Sequence, residues 1–132
     1  MLPKSKRLTK KRDFAKLGVQ GRSAYGPYMT MRVRQVKDVE PRVAFITSTK
    51  VMKKAVDRNR AKRRMREVIR LLWAEIPKNV QIIFILQPPV KDIPHAELVE
   101  EVKHLLEKIP ATLLKPARPS PRARKVAAKR ST

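Results

Sequence analysis

Cysteine is absent from this chain of 132 residues, so neither a disulfide framework nor a cysteine metal site can organise it. Glycine is almost absent as well. Its three residues, Gly18, Gly21 and Gly26, all lie between positions 18 and 26, which concentrates backbone punctuation there. Aromatics make up only 5%, and no apolar run approaches the roughly 18 residues that a membrane-spanning helix needs. Acids are scarce too: 11 against 33 Lys and Arg, a formal net charge of +22. Such an excess goes beyond solubility tuning and implies a polyanionic partner, nucleic acid first and a membrane surface second. The opening MLPKSKRLTKKRDFAKL lacks the apolar run of a secretory signal, although its basic, acid-poor character also fits a mitochondrial presequence.

The length fits one domain with a modest core. Thr9 is a candidate N-cap for a short helix through Leu17, with Phe14 and Leu17 on its apolar side. The segment YMTMRVRQV (28–36) alternates, which predicts a half-buried strand with Met29, Met31 and Val33 inward and Thr30, Arg32 and Arg34 on an open basic face. RVAFITS (42–48) and VQIIFILQ (80–87) are apolar on both faces, as central strands are. A further strand, if present, has to lie within 18–41. Asp92 and Pro94 open a helix to about Lys108, whose stripe is Leu98, Val102, Leu105 and Ile109, flanked by Val99 and Leu106. Five of the acids (Asp92, Glu97, Glu100, Glu101, Glu107) belong to this region, so it is expected to face away from a polyanion. From Ala111 onward the chain carries seven basic residues and no acid, and residues 111–132 read as a disordered basic tail after a domain of 1–110.

The most informative stretch is DRNRAKRRMREVIR (57–70), with seven basic side chains in fourteen positions. At about 100° per residue, Ala61, Met65, Val68, Ile69 and Leu72 fall in one narrow arc, while the charges occupy the rest of the circumference. Asp57 sits where a carboxylate favours the helix dipole. A solvated helix usually mixes charge signs so that i,i+4 pairs attract; here nearly every such pair is basic against basic. Phosphates reverse that sign. A calmodulin-like partner or a membrane surface is the alternative that basic amphipathic helices allow, but the apolar arc is needed by the flanking strands as core.

Protein-borne catalysis finds no candidate. His95 and His104 lack a third ligand, the carboxylates are scattered, and no phosphate-loop, zinc-protease or Ser/His/Asp pattern occurs. Trp73 and the turn residues Tyr25 and Tyr28 read as packing groups.

AVDRNRAKRRMREVIR (55–70) resembles the RNR signature of the protein subunit of bacterial-type ribonuclease P. LPKSKRLTKKRDFAKL is similar to that family's opening, RVAFITSTKV (42–51) to its strand ending in Ser-Lys-Lys, and VQIIFILQP (80–88) to its strand after the helix. These blocks cover about residues 2–109 in the family's order. The resemblance implies a two-layer α/β (α+β) fold of order α-β-β-β-α-β-α, ribosomal-protein-like, with a left-handed βαβ crossover through the RNR helix against the usual hand. It also implies a role as RNA-binding subunit. The RNA is the catalyst that removes the 5′ leader of precursor tRNA, with Mg2+ held through the RNA and no cofactor on the protein alone. The expected partners are the catalytic RNA and precursor tRNA, with one protein per RNA, no membrane, and a bacterial cytoplasm or else an organelle as the compartment.

Position by position, the resemblance assigns Arg58, Asn59, Arg60, Lys62, Arg63, Arg66 and Arg70, with Lys50, to catalytic-RNA contact. Guanidinium forks suit phosphate oxygens, and an Asn amide suits a base edge or sugar. It assigns Phe14, Arg12, Lys16, Arg32 and Arg34 to the leader, where Phe14 fits base stacking and core packing equally well. The chain departs from the family's pattern at Gly18, Thr49, Met52-Lys53-Lys54 and Gln87. A structural RNA-binding protein on the same fold, in a ribosome-like particle, is the alternative.

Overall fold

Period-two alternation along Met29–Gln35 and near-continuous apolarity along Val80–Leu86 place these segments side by side at the centre of a four-stranded sheet. The computed structural model describes residues 15–17, 21–36, 41–50 and 52–114. Within them the strands are β1 (Arg22–Tyr25), β2 (Met29–Gln35), β3 (Arg42–Thr47) and β4 (Val80–Leu86). The helices are α1 (Ala55–Leu71), α2 (His95–Glu107) and α3 (Ile109–Leu113), and residues 15–17 are also helical. Strand order is β1-β2-β4-β3, with β2 antiparallel to both β1 and β4, and β3 parallel to β4. The chain therefore passes from β3 through α1 to its parallel neighbour β4, and β1 supplies the strand that the 18–41 window could hold.

Registry sorts the side chains into two layers. Met31 lies opposite Phe84 and Val33 opposite Ile82, while on the parallel side Val43 aligns with Ile82 and Phe45 with Phe84. This face carries the main core, into which α1 delivers Ala61, Met65, Val68 and Ile69, and α2 delivers Leu98, Val102, Leu105 and Leu106. Phe45 and Phe84 stack with centroids 6.1 Å apart. The opposite face has a smaller cluster in which Leu17 packs on Ala44, Ile83 and Ile85.

Two sequence-based expectations are corrected by the fold. The apolarity of RVAFITS on both faces predicts a central strand, yet β3 is an edge strand paired with β4 alone. Its double apolarity comes from cover on both sides, by the main core at Val43 and by Leu17 at Ala44. Composition puts the start of the tail at Ala111, but Ile109–Leu113 is helical, with Ile109 and Thr112 buried. Pro110 accounts for the difference. It stands in the first turn of α3, where its missing N–H is no loss. The expected disorder of 115–132 lies outside the described residues.

One acid of α2 turns inward. Glu101 is 8% exposed, and its Oε1 accepts the Tyr28 backbone N–H at 2.9 Å. One helical turn earlier, Glu97 accepts from the Tyr28 hydroxyl at 2.7 Å. These two glutamates seat the β1–β2 hairpin on α2. The approach is so close that a Cβ on Gly26 would stand 2.5 Å from Glu101 Oε1, so a side chain at this turn position would have to displace the Glu101 carboxylate. Burial pushes the Glu101 carboxyl above the usual carboxylate range, the N–H groups of Tyr28 and Met29 pull it back in part, and the Glu97 charge adds to the rise. A raised folded-state pKa means the folded protein holds this proton more tightly than the unfolded chain. Stability is therefore expected to fall as pH rises from the ordinary carboxylate range through the raised value. Glu101→Gln keeps the Oε1 acceptor and removes the titration. Denaturant melts from about pH 4 to about pH 8 should show a loss in the wild type that the variant lacks.

Candidate nucleic-acid interface

The basic helix α1 begins after Lys54, which has no side-chain capping bond, and carries Asp57 in its first turn and Arg70 in its last. Both charges complement the helix dipole. Burial of Ala61, Met65, Val68 and Ile69 matches the expected arc, with Leu72 at the C-cap half-buried against the core. Docking this arc fixes the direction in which every charged side chain points.

The cations divide into two groups. One group is used inside the protein. Arg64 donates through Nη1 to the Val90 carbonyl at 2.8 Å and through Nη2 to the Ile93 carbonyl, clamping the single turn Pro88–Lys91 and the approach to α2. On the same flank Asp57 pairs with Lys91 at 3.3 Å. Arg58 donates from Nη1 to the carbonyls of Met52 and Lys53, at 2.9 and 2.8 Å, and so closes the loop before the helix. Arg70 pairs with Glu67 at 3.1 Å on the exposed side. The other group, Arg60, Lys62, Arg63 and Arg66, has no hydrogen-bond or ion-pair partner among the described residues, and neither does the neutral Asn59 beside it. Asn59, Arg60 and Arg63 are exposed, and Lys62 and Arg66 are partly so. Of the seven residues expected on this helix, five have no partner among the described residues. Arg58 and Arg70 are already engaged. Lys50 is exposed beyond β3, with its backbone N–H bonded to Ser48 Oγ at 3.2 Å.

The second expected surface is built differently from what alternation alone predicts. Arg32 and Arg34 do project from the face opposite the main core, but that face is not open where they lie: they are 7% and 8% exposed. Arg32 Nε donates to the Leu17 carbonyl at 2.7 Å and its Nη1 to Ser23 Oγ at 2.9 Å. Arg34 Nη2 donates to Gln81 Oε1 at 2.6 Å. Alternation gives the correct face, but it carries no sign that the N-terminal helical segment sits on it. Gly21 belongs to the same contact, since a Cβ there would lie 2.3 Å from the Leu17 carbonyl. Lys16 is exposed beside buried Leu17, whereas Phe14 and Arg12 lie outside the described residues.

Further along this face, one transverse row is accessible among the described residues. Tyr25, Thr30, Ile85 and Ile46 align across all four strands by register. Tyr25 is 73% exposed and Ile46 is exposed, with Thr30 and Ile85 half-buried. Sequence alone assigns Tyr25 to turn packing and singles out neither Ile46 nor Ile85. The period-two pattern does contain the signal, because each is out of phase with the core residues of its strand.

Comparison with known proteins gives one consistent answer. The family model described as Ribonuclease P matches residues 2–110. The ribonuclease P protein component of Symbiobacterium thermophilum is 36% identical over 108 residues, covering 81% of this chain and 93% of that protein. That of a Pseudanabaena species is 31% identical over 109 residues, covering 82% and 94%. Among solved structures, a Staphylococcus aureus RNase P protein mutant with defective mRNA degradation activity superposes with a TM-score of 0.72 at 25% identity, over 81% of this chain and 90% of that one. The RNase P protein from Thermotoga maritima gives 0.70 at 26% identity, over 77% and 96%.

The two groups of cations should separate in solution. Arg64→Ala is expected to cost about 1.5–3 kcal/mol of unfolding free energy, the range for hydrogen bonds that involve a charged group, and to leave the salt dependence of RNA binding unchanged. Arg60→Ala and Arg63→Ala should shift stability by less than about 0.5 kcal/mol. Urea melts of the three variants, read beside their salt titrations, check the division.

Proposed function

Because this chain belongs to the ribonuclease P protein family, the RNA-binding component of a tRNA-processing ribonucleoprotein, we propose that the free flank of α1 is its contact with the catalytic RNA subunit. The observation that carries this reading is the set of Asn59, Arg60, Lys62, Arg63 and Arg66, which have no partner among the described residues and ride on a helix whose rotation is fixed by its buried arc. Like charge at i,i+3 and i,i+4 costs a few tenths of a kcal/mol per pair in the free protein. Phosphates arriving between the guanidinium groups turn each such cost into a charge-assisted bond.

In this reading the RNA performs the cleavage, with Mg2+ held by RNA phosphates; cationic side chains repel a metal ion rather than ligate it. The precursor-tRNA leader lies along the other face of the sheet, where Lys16 offers charge and the Tyr25–Thr30–Ile85–Ile46 row offers apolar surface for unstacked bases. Phe14 and Arg12 are the further leader contacts that the family resemblance assigns. Arg32 and Arg34 support that face from within. One protein acts per RNA, in a bacterial cytoplasm. No helix among the described residues is long and apolar enough to cross a membrane.

Three measurements test the proposal. Addition of the chain to a bacterial ribonuclease P RNA should raise leader cleavage at low Mg2+. Arg60→Ala and Arg66→Ala should each flatten the dependence of log affinity on log salt, by roughly 0.7–0.9 for every phosphate no longer neutralised. Unchanged slopes would remove these residues from the interface. Sequencing of the RNA that co-purifies with the chain is expected to return ribonuclease P RNA; ribosomal RNA would favour a structural role in a ribosome-like particle instead.

A further inference from the structure

Two large apolar side chains on α1, Val56 and Leu71, have no explanation in the core, and Val56 is the one that stands among the partnerless polar residues. Val56 is 74% exposed, although it stands in the helix that supplies four buried residues to the main cluster. On the helical wheel it lies roughly 180° from Met65, at the pole farthest from the sheet. A β-branched residue at such a position lowers helix propensity and gains nothing from packing. Its surroundings are specific. Asn59, Arg60 and Arg63 follow at i+3, i+4 and i+7, and together with Val56 they line an open surface depression. Helical side chains lean toward the N-terminus, so Asn59 and Arg60 overhang the turn that carries Val56. The floor is apolar, one wall is a neutral amide, and the other walls are two guanidinium groups without partners among the described residues.

We infer that this depression receives a single unstacked nucleobase of the RNA bound by α1, the inference resting on the RNA-binding role proposed above. Each chemical component has a counterpart in such a ligand. The ring needs an apolar or planar surface, which Val56 and the face of a guanidinium supply. Its edge carries paired donors and acceptors that an Asn side chain can match. The phosphates on either side need cations, and Arg60 and Arg63 flank the floor. A continuous duplex keeps its base faces stacked inside and presents phosphates, 2′-hydroxyls and minor-groove base edges, leaving Val56 unused. The site therefore selects a bulge, loop or junction over regular helix. It would set where along a folded RNA the helix docks, a choice that phosphate contacts alone cannot make.

The test uses the full chain, a bacterial ribonuclease P RNA, and a fully paired RNA duplex as the second probe. Val56→Ala removes most of the floor without endangering the fold, since Ala is the better helix former and the site is exposed. Its thermal midpoint should equal or slightly exceed that of the wild type. Binding to the structured RNA is expected to weaken about three- to tenfold at every salt concentration, with the salt slope unchanged, because the interaction removed is not ionic. Binding to the duplex should be unaffected. Wild-type affinity of Val56→Ala for the structured RNA, or an equal loss on both probes, overturns the inference. The Arg63→Ala slope keeps that failure distinct from failure of the proposed function. A flattened slope with an inert Val56 removes the base site alone, whereas unchanged slopes for Arg60→Ala, Arg63→Ala and Arg66→Ala alike remove α1 as the RNA surface and the base site with it.

Discussion

Burial of Ala61, Met65, Val68 and Ile69 against the sheet fixes the rotation of α1, and every role its charges can take follows from that rotation. Four modest apolar side chains at helical spacing are enough. Met65, Val68 and Ile69 each stabilise by roughly 1.5–3 kcal/mol on burial and Ala61 by less, whereas each like-charge neighbour pair costs only tenths. The hydrophobic term wins by a wide margin, so the helix can keep a charge density that would otherwise have to be diluted with acids. The same rotation directs Asp57 and Arg64 toward the segment after β4 and leaves Asn59, Lys62, Arg63 and Arg66 on the side away from it.

That division changes what a run of arginines means. The density of basic residues in 57–70 suggests a uniform phosphate surface, yet Arg58 and Arg64 have their guanidinium groups engaged by backbone carbonyls. Arginine suits this internal task because its planar fork can serve two acceptors at once, and carbonyls at loop ends are otherwise left to water. The sheet's other face repeats the pattern: Arg32 and Arg34 hold the Leu17 carbonyl and the Gln81 amide in place. In a chain this rich in cations, positive residues also take the roles that neutral polar groups have elsewhere. A cation on the surface is therefore informative about a partner only once its internal acceptors have been accounted for.

The features legible in the sequence are those set by period. The apolar arc of α1, the inward residues Met29, Met31 and Val33 of β2, the stripe of α2 and the apolar run of β4 are all readable from spacing, because burial imposes spacing directly. What escapes depends on contacts between distant parts of the chain. The edge position of β3 is decided by pairing rather than by composition. The inward turn of Glu101 is decided by two backbone N–H groups of a hairpin more than seventy residues away. The helix at Ile109–Leu113 hides behind Pro110, a breaker in an interior and a starter at a first turn. On the candidate site, residue types and face are readable, but which arginines are already engaged is not.

The two surfaces are joined through β4. Its inward residues Ile82 and Phe84 sit in the core that seats α1, its outward residue Ile85 belongs to the accessible row, and Gln87 at its end donates its N–H to the Tyr28 carbonyl. Arg64 then ties the segment after β4 back to α1. A rigid strand flanked on both sides by paired neighbours has little freedom to let one face move without the other. An RNA held on the α1 flank and a single strand lying on the opposite face would thus be kept at a fixed separation by about one sheet and one helix layer, roughly 10 Å each. Spacing of that kind needs no moving part. In the proposed reading, holding two RNA segments at a set distance is what this fold contributes to the particle.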